Sequence, residues 1–542
     1  MRVPVACVLL ATFALVQSPA PDLVVANARV FTGSASQPWA EAISVKGDRI
    51  AAVGTTAEIA KTAGSATKTI DAGGRLLIPG INDAHTHIGV RPAGTVLEGP
   101  PAIEKDPTLA EVLTRLRDAA AKAPPGGWIY GEIGGTVLGD PRVTRATLDR
   151  LSGDRPVLLR AWTGHGTIAN TAALRALGIT LGLKDDEPNP PGGTFVRTAD
   201  GSKLTGLAHE YADYLIGRRL AALAPKTEQL AAFTAYARDA VGYGITSSQI
   251  MMTTFPIDVA AGLLGSAEIP IRLRLIDFPM IAMAAWHAPA EQPKRNSLIT
   301  ISGVKWILDG TPVERMMFLR GPYADLPQWR GHLNFSEADL RGFFERALAA
   351  KVQPMLHAVG DAAVGAVLDG LEATGGERWK PLRPRLEHGD MLQSADFARA
   401  ARMGVTLVQN PSHFTIGEIV QARLGAERAQ RMFQVKAAVA AGVPFALGSD
   451  GPMNPFLNIM FAATNAANPS QALTVQQALT AYTAGSAAAE LAESEKGTLK
   501  PGMLADFALL SQDIFKVARP ELPKTVSVLT VVNGRVVHSR LE

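Results

Sequence analysis

Through the middle of the chain, short apolar runs alternate with longer segments that carry the helical period. Eight runs are rich in β-branched and aliphatic residues: PGINDAHTH, GITSSQIM, IRLRLIDF, GVKWILDG, VQPMLHAVG, RPRLEHGD, GVTLVQNP and VPFALGSD. Segments between them, such as SEADLRGFFERALAA and SADFARAARM, are typical of amphipathic helices. Eight strands alternating with helices predict an α/β fold, a (β/α)8 TIM barrel. An open doubly wound sheet is the alternative, although no GxGxxG motif follows a strand.

The two ends of the chain share a different pattern. Short alternating runs with Gly, Asn and Asp at the turns occur near the start (DLVVANARVF, AISVKGDRIAAVG, KTIDAGGRLLIPG) and near the end (ADFALLS, VSVLTVVNGRVVHS). Asn533-Gly534 is typical of a β-hairpin turn. We therefore predict a composite β-sandwich domain from residues 21–80 and 497–542, with the barrel domain in residues 81–496.

A long interval, about residues 90–240, separates the first strand run from the second. It contains its own strand-like runs, GWIYGEIGG and RPVLLRAWTGH, and a segment around His209, GLAHEYAD, that we expect to be helical. Loops after barrel strands lie on the catalytic face. An insertion at this point is therefore placed to cover a pocket.

Residues 1–20 have the pattern of a signal peptide. Arg2 precedes the apolar run VPVACVLLATFALV, which is too short to span a bilayer, and a cleavage zone follows near Ser18 or Ala20. A buried N-terminal strand or helix is the alternative interpretation. A signal predicts an exported protein, periplasmic or secreted. No later stretch is long and apolar enough for a membrane span.

Composition narrows the classes of partner. The chain has 53 Lys and Arg against 50 Asp and Glu, and no basic run is interleaved with aromatics, so we expect no nucleic-acid partner. The single cysteine, Cys7, excludes a disulfide framework and a cysteine-ligated zinc site. A small-molecule substrate is the expected partner. The sequence leaves open whether the protein is a monomer or a homo-oligomer.

The candidate chemistry lies where the predicted strands end. His85 and His87 form His-x-His on the first run, and residues i and i+2 of a strand point to the same side. Further candidates lie in or after the fourth, fifth, sixth and eighth runs: Lys305, His357, His388 and Asp450. The carboxyl ends of barrel strands meet at one mouth, and imidazole and carboxylate groups suit zinc and related divalent metals. Taken singly, each residue has a structural alternative: a hydrogen-bonded core histidine, a turn or cap aspartate, or a paired interior lysine.

The chain resembles the amidohydrolase superfamily, and within it the YtcJ-like metal-dependent hydrolases of the amidohydrolase 3 group. The matching stretches span nearly the whole chain after the signal: LLIPGINDAHTHIG, GITSSQIM, VKWILDG, LHAVGDAAV, RLEHGD, FALGSDGPMNP, LTVQQALTAYTAGSA and GTLKPGMLADFALLSQD. The resemblance implies metal ligation by His85, His87, His357 and His388, with Asp450 as the acid of the last strand. Lys305 matches a position that is often a carboxylated lysine bridging two metals. The site then holds two ions if Lys305 is carboxylated and one if it is not.

These assignments predict a hydrolase in which a metal activates water and Asp450 transfers its proton to the leaving group. His165 and His413 resemble positions outside the metal shell and are candidates for substrate contact, as is Arg315 for an anionic group. For each of the three, a packing histidine or a solvated loop arginine is the alternative. We interpret His209, His287, His332 and His538 as structural.

The predicted reaction is hydrolysis of a C–N bond in an amide, N-acyl or cyclic amide group. A lactonase or other ester hydrolase is the alternative within the enzyme class, because the same activated water attacks either carbonyl. A catalytically inactive binding protein on this fold is the alternative outside it. The motifs HExxH and GxSxG are absent from the sequence, which disfavours zincin proteases and α/β serine hydrolases.

Overall fold

The structure is a computed structural model that describes residues 20–182, 184–265, 267–288 and 298–541. The predicted signal peptide, including Cys7, therefore lies outside the described residues except for Ala20. Among the helices of the described ranges, none combines the length and the apolar character needed to cross a membrane.

The centre of the molecule is one sheet of eight parallel strands whose order in space follows their order in the chain. These barrel strands, first to eighth, are Ile81–Thr86, Ile245–Met251, Arg272–Asp277, Ile299–Ile307, Pro354–Ala358, Arg385–His388, Thr406–Gln409 and Phe445–Leu447. After the eighth strand, the backbone N–H of Asp450 donates to the carbonyl of His85 on the first strand at 2.9 Å, which brings the two edges together. Each of the eight predicted runs forms one of these strands. The TIM-barrel prediction is confirmed, and the open doubly wound sheet is wrong.

Helices follow the barrel strands and cover the outside of the sheet. The predicted helices around SEADLRGFFERALAA and SADFARAARM are present as Glu337–Ala349 and Ser394–Met403. The first begins after Ser336, whose side chain accepts the N–H of Asp339, the usual N-cap arrangement. The other helices of the barrel domain are Lys226–Gly242, Ile257–Leu264, Asp361–Thr374, Gly417–Leu424, Ala426–Ala429, Val435–Ala440, Pro455–Thr464, Val475–Thr480 and Ser486–Ala489.

Two further sheets form the β-domain. One is built from N-terminal strands alone: Leu23–Ala26, Ala42–Lys46, Arg49–Gly54 and Lys68–Asp71, with helix Thr56–Ala60 beside them. The other combines both ends of the chain: Arg29–Phe31, Trp39–Ala40, Leu76–Pro79, Phe507–Leu510, Ser527–Val532 and Arg535–Ser539. Strand Phe507–Leu510 pairs antiparallel with Leu76–Pro79. Asn533 and Gly534 have positive φ at the hairpin turn, as the sequence pattern predicts.

The insertion after the first barrel strand has its own six-stranded sheet. Its strands are Gly94–Val96, Trp128–Ile133, Val157–Ala161, Gly166–Ala169, Gly193–Arg197 and Leu204–Glu210; its helices are Leu109–Lys122, Gly135–Leu138, Arg145–Ser152, Thr171–Ala176 and Tyr211–Leu223. The predicted helix around His209 is wrong in its first half. Residues there alternate between buried and half-buried positions, as strand residues do, and the helix begins only at Tyr211.

Candidate metal centre and adjoining cavities

Three side chains from different barrel strands meet at the carboxyl end of the sheet. One ligand atom each from His85, His388 and Asp450 lies within 4.8 Å of the others. His388 is the last residue of the sixth strand and Asp450 comes three residues after the eighth, with φ of +67° and +40°, which is uncommon for residues with a side chain. The first-strand backbone holds Asp450 directly, because its N–H donates to the carbonyl of His85. The sixth and eighth strand ends thus place these two side chains against the first strand.

Asp450 is the shared neighbour of the predicted ligands. Its Oδ1 lies 3.3 Å from Nε2 of His87 and 3.7 Å from Nε2 of His85, while its Oδ2 lies 3.8 Å from Nδ1 of His388. The Nζ atom of Lys305 lies 2.9 Å from Nε2 of His85. One carboxylate therefore faces three imidazoles, with an amine beside them.

His357 completes the predicted set from the fifth strand. Its ring centre lies 4.5 Å from that of His388, and its Nε2 lies 3.8 Å from Oδ1 of Asp309. Within the described part of the chain, Nε2 of His357 and Nδ1 of His388 are buried without a hydrogen-bond partner. Buried polar atoms normally have partners. Two such nitrogens beside a carboxylate fit a divalent metal ion, so the residues present suit the group that the sequence predicts.

The charge states of these groups suit metal binding. Burial lowers the pKa of the four imidazoles, His85, His87, His357 and His388, so they are neutral and keep a lone pair at neutral pH. Burial would raise the pKa of Asp450, but the nearby His85, His87 and Lys305 lower it, which keeps the carboxylate anionic. Burial also lowers the pKa of Lys305 to about 8.

A buried carboxylate orients the first ligand. Glu387 pairs with Nδ1 of His85 and also accepts from Nε of Arg385 at 2.6 Å. Burial would raise the pKa of Glu387, but Arg385 and His85 lower it to about 2. A Nδ1–H donated to Glu387 leaves Nε2 of His85 free to face the site. Sequence reasoning missed this pair, although strand alternation places residues 385 and 387 on one side.

His165 reaches the site from the insertion. It lies at the end of the turn between strands Val157–Ala161 and Gly166–Ala169, and its ring centre is 4.8 Å from that of His357. Its Nδ1 lies 3.1 Å from both carboxylate oxygens of Glu210. Burial would lower the pKa of His165, but the charge of Glu210 and its hydrogen bond raise it to about 9. The structure therefore places a cationic imidazole beside the predicted metal ligands.

His413 flanks the site from the other side. Its ring stacks on His388 with centres 5.0 Å apart and an angle of 17° between the planes. Its Nδ1 lies 2.9 Å from Oδ2 of Asp390, which is buried. Burial would lower the pKa of His413, but Asp390 raises it. Both predicted substrate-contact histidines thus lie against the metal ligands, each with a buried carboxylate behind it.

Arg315 is not brought to the site. Its Nε and Nη2 lie 3.1 and 2.8 Å from Oδ2 of Asp325, and its carbonyl accepts from the indole of Trp329. It is not among the residues that line the cavities at the metal ligands. This geometry gives no support to the predicted contact between Arg315 and an anionic substrate group.

The remaining histidines lie away from the metal ligands or serve local contacts. Nδ1 of His209 lies 3.4 Å from the carbonyl of His165, and Nε2 of His538 lies 3.2 Å from the carbonyl of Ser527. His287 contacts the carbonyl of Ala285 at 3.0 Å, and His332 packs beside Trp329. These contacts agree with the structural interpretation of all four.

Two adjoining cavities open at the predicted metal ligands. They share the wall formed by Trp162, Thr163, His165, His357, His388, Asp450 and Gly451. The first, the apolar chamber, has a volume of about 270 Å³ and is lined further by Ile103, Pro312, Val313, Val359, Ile416 and Pro452. The second has a volume of about 240 Å³ and is lined further by Thr86, His87, Arg160, Tyr214, Thr253 and Lys305. The insertion supplies wall residues to both cavities.

Comparison with known proteins agrees with this fold. The chain is 29% identical to the YtcJ protein of Bacillus subtilis (strain 168), with 92% of this chain and 96% of that one covered. It is 27% identical to the N-substituted formamide deformylase of Arthrobacter pascens, with 96% and 98% covered. An uncharacterized metal-dependent hydrolase from Pyrococcus horikoshii has the same fold, with a TM-score of 0.69, 21% identity, and 92% and 99% covered.

The family comparison covers most of the sequence. The model of the Amidohydrolase family (Amidohydro_3) matches residues 68–538, which include all eight barrel strands and the C-terminal strands of the β-domain. The resemblance inferred from the motifs is thereby confirmed. This chain belongs to the Amidohydrolase family, whose members are metal-dependent hydrolases.

Proposed function

We propose that the protein hydrolyses a C–N bond of an amide, N-acyl or cyclic amide group in a small molecule. The observation that carries the proposal is a pair of imidazole nitrogens, Nε2 of His357 and Nδ1 of His388, that are buried without a hydrogen-bond partner among the described residues. They lie at the junction of two cavities that Asp450 also lines. A scissile bond at this junction would have room for one substituent in each cavity. The relative from Arthrobacter pascens, named as an N-substituted formamide deformylase, supports an amide-type bond.

The ligands of the proposed metal are His85, His87, His357, His388 and Asp450. A divalent ion such as zinc supplies, when bound, Lewis-acid polarisation of the carbonyl and activation of water. The protein's role is to hold the neutral imidazoles and one carboxylate together at the wall of the cavities. Glu387 fixes the tautomer of His85 for that purpose.

Asp450 is the proposed proton carrier. Its carboxylate is anionic and its side chain keeps 19% exposure toward the cavities, so it can accept a proton from the attacking water. The same proton then passes to the leaving nitrogen. An amine leaves poorly as an anion, so protonation at this step favours C–N cleavage.

His165 and His413 are proposed to stabilise the oxygen of the former carbonyl. Both have raised pKa values caused by carboxylates, Glu210 and Asp390, and both line the apolar chamber. A fixed cationic donor facing a developing oxyanion lowers the barrier because its orientation needs no reorganisation. The alternatives on the same site, an ester or lactone hydrolase and an inactive binding protein, are outcomes of the test below.

The proposal includes a second ion, which Lys305 would help to hold if its amine were carboxylated. Carboxylation needs a neutral amine, and burial lowers the pKa of Lys305 to about 8, which leaves a neutral fraction at neutral pH. Elemental analysis of protein prepared with bicarbonate should then give two zinc ions per chain, and one for Lys305→Met. One ion in both preparations would contradict the second site.

The proposal also includes export, because residues 1–20 have a signal-peptide pattern. N-terminal sequencing of the protein recovered from the periplasm or medium should begin near residue 19 or 21. Recovery of the intact N-terminus in the cytoplasm would contradict export.

The central experiment compares wild type with Asp450→Asn on zinc- and manganese-loaded protein. The substrates are N-formyl amines, N-acyl amino acids, cyclic amides and matched esters and lactones. We expect amide turnover to fall by about two to four orders of magnitude in the variant, with metal content retained. His538→Asn, in the β-domain, is the control. Turnover of esters alone would favour the ester hydrolase, and metal binding without any turnover would favour the inactive protein.

A further inference from the structure

Arg160 has no part in the proposed reaction, yet its charge faces the cavity system. It lies on insertion strand Val157–Ala161, and its side chain is 42% exposed although its neighbours Leu159 and Ala161 are buried. The cavity of about 240 Å³ at the metal ligands shares Arg160, Gly89, Tyr214, Thr253 and Thr254 with a further cavity of about 360 Å³. We call these two joined cavities the arginine chamber.

The guanidinium is held on one edge and free on the other. Nε and Nη2 of Arg160 lie 3.1 and 2.8 Å from Oδ2 of Asp213, whose Oδ1 accepts from the hydroxyl of Thr167 at 2.5 Å. Asp213 is 1% exposed, so its charge is enclosed behind the arginine. Nη1 of Arg160 makes no hydrogen bond within the described ranges and remains available to a ligand.

The Tyr214 side chain is near both Arg160 and His165 of the candidate metal site. The Tyr214 ring centre lies 5.8 Å from the guanidinium carbon of Arg160 and 6.4 Å from the His165 ring centre. A second arginine, Arg91, is exposed, lies over the Tyr130 ring at 4.2 Å and lines the cavity of about 360 Å³. Among the charged residues that line the cavity of about 360 Å³, the two arginines outnumber the single carboxylate, Asp213.

The two chambers thus differ in the substituent that they accept. The apolar chamber has no arginine or lysine in its lining; it presents aliphatic and proline side chains beside the carboxylates of Glu132 and Asp390. The arginine chamber presents a pre-oriented guanidinium. A planar guanidinium with one edge fixed by a carboxylate pairs well with a second oxyanion, because little side-chain freedom is lost on binding. Such a contact would favour substrates that carry a negative charge at a defined distance from the bond that is cleaved.

We propose that Arg160 binds an anionic group, a carboxylate in the first instance, on the part of the substrate that occupies the arginine chamber. This inference rests on the proposed function only in calling the bound molecule a substrate. Binding of an anion by Arg160 does not require that the protein turn the molecule over. It makes Arg160 a specificity-determining residue supplied by the insertion.

The test measures binding of two matched probes, 3-phenylpropionate and 3-phenylpropionamide, by calorimetry on zinc-loaded and chelator-treated protein. A charge-assisted hydrogen bond predicts that wild type binds the carboxylate about tenfold more tightly than the amide. The preference should persist without metal. The paired variant Arg160→Gln/Asp213→Asn, which leaves no unpaired buried charge, should bind both probes equally.

Two further variants make the result specific. Arg145→Gln/Asp185→Asn neutralises another ion pair of the insertion, 2.9 Å apart and outside the chambers, and should keep the preference. Arg160→Lys keeps a positive charge beside Asp213 and should retain part of the preference for the carboxylate probe. Binding of the neutral amide reports that each variant is folded.

The inference is overturned if wild type shows no preference, if the Arg160→Gln/Asp213→Asn variant keeps it, or if chelation abolishes it. The last two results would assign the carboxylate to Lys305 or to the metal. Charge-selective binding without amide turnover would leave Arg160 in place and overturn only the proposed function. Amide turnover without charge-selective binding would support the proposed function and overturn the role of Arg160.

Discussion

The Nδ1 atom of His165 lies 3.1 Å from both carboxylate oxygens of Glu210. Glu210 is 2% exposed and has a φ of +54°, and its Oε2 also accepts from the amide of Asn334 at 3.1 Å. The joint between strand Leu204–Glu210 and helix Tyr211–Leu223 thus holds a buried carboxylate against an imidazole of the cavity wall. The ion pair lies within the insertion, and the hydrogen bond from Asn334 joins Glu210 to the loop after the fourth barrel strand.

This pair gives the stability of the metal-free protein a defined pH dependence. The pKa of His165 in the folded state is raised to about 9, above its ordinary value of 6.5. A raised folded-state pKa contributes stability that is complete below about 6.5 and is lost as the pH rises through about 9. Glu210→Gln removes the cause, so wild type should exceed the variant by up to about 3 kcal/mol at pH 6 and by less at pH 10.

Thermal unfolding of chelated wild type and Glu210→Gln across this range checks the prediction. Glu228→Gln, on helix Lys226–Gly242, serves as a control that should give a pH-independent difference. If the difference in stability between wild type and Glu210→Gln did not change with pH, Glu210 would not be the group that keeps His165 protonated.

A second prediction concerns the carboxylate behind His85. Glu387→Gln keeps the size of the side chain but weakens the hold on Nδ1 of His85 and on Arg385. Loss of such a partner typically weakens metal binding about 10–100-fold. Zinc affinity measured by competition with a chelating dye should fall by that factor. Glu493→Gln, which changes an exposed pair with Arg383, should leave affinity unchanged; equal affinity in all three proteins would argue against an orienting role for Glu387.

The barrel could be predicted from the sequence because each strand run has enough apolar residues to be identified as a strand without its neighbours. The six metal-site candidates were found in the same way, since each lies at a strand end and position along a strand fixes the mouth it faces. Their partners were not found. Glu210 meets His165 across 45 residues and Glu387 meets His85 across 302, and such pairings follow from packing of separate elements rather than from a local pattern.

Two predictions made from local sequence alone, for His209 and Arg315, are not supported by the structure. The chain around His209 has good helix formers, yet burial of alternate residues against strand Gly166–Ala169 decides for a strand. Arg315 lies just after the fourth strand, as a substrate-contact residue would, but Asp325 ten residues later takes its guanidinium. Arg160, in contrast, stands in an ordinary strand run, and only the cavity beside it shows what it faces.

Metal should stabilise the fold through His388. A ligand that binds only the native state at 100 times its dissociation constant adds about 2.7 kcal/mol, so zinc should raise the Tm of chelated wild type. His388→Asn removes a buried nitrogen that has no hydrogen-bond partner among the described residues, and it should abolish most of this rise while changing the metal-free Tm little. Differential scanning calorimetry with and without zinc provides the measurement, with His538→Asn as the control. An undiminished rise in His388→Asn would exclude it as a ligand.

The turn of the insertion that carries Trp162 and His165 over the cavities is fastened by Glu314. Its two carboxylate oxygens accept from the hydroxyls of Thr163, in that turn, and Thr311, in the loop after the fourth barrel strand. Hydrogen bonds to a charged group contribute about 1.5–3 kcal/mol each, so Glu314→Ala should loosen the turn. Hydrogen exchange should become faster in a peptide spanning residues 160–166, and Glu314→Gln, which can still bond one hydroxyl, should be intermediate. Because the turn forms the wall between the two chambers, KM for any substrate found should rise in the same order as the exchange rate. Exchange equal to wild type in Glu314→Ala would mean that packing of Trp162, rather than Glu314, holds the turn in place.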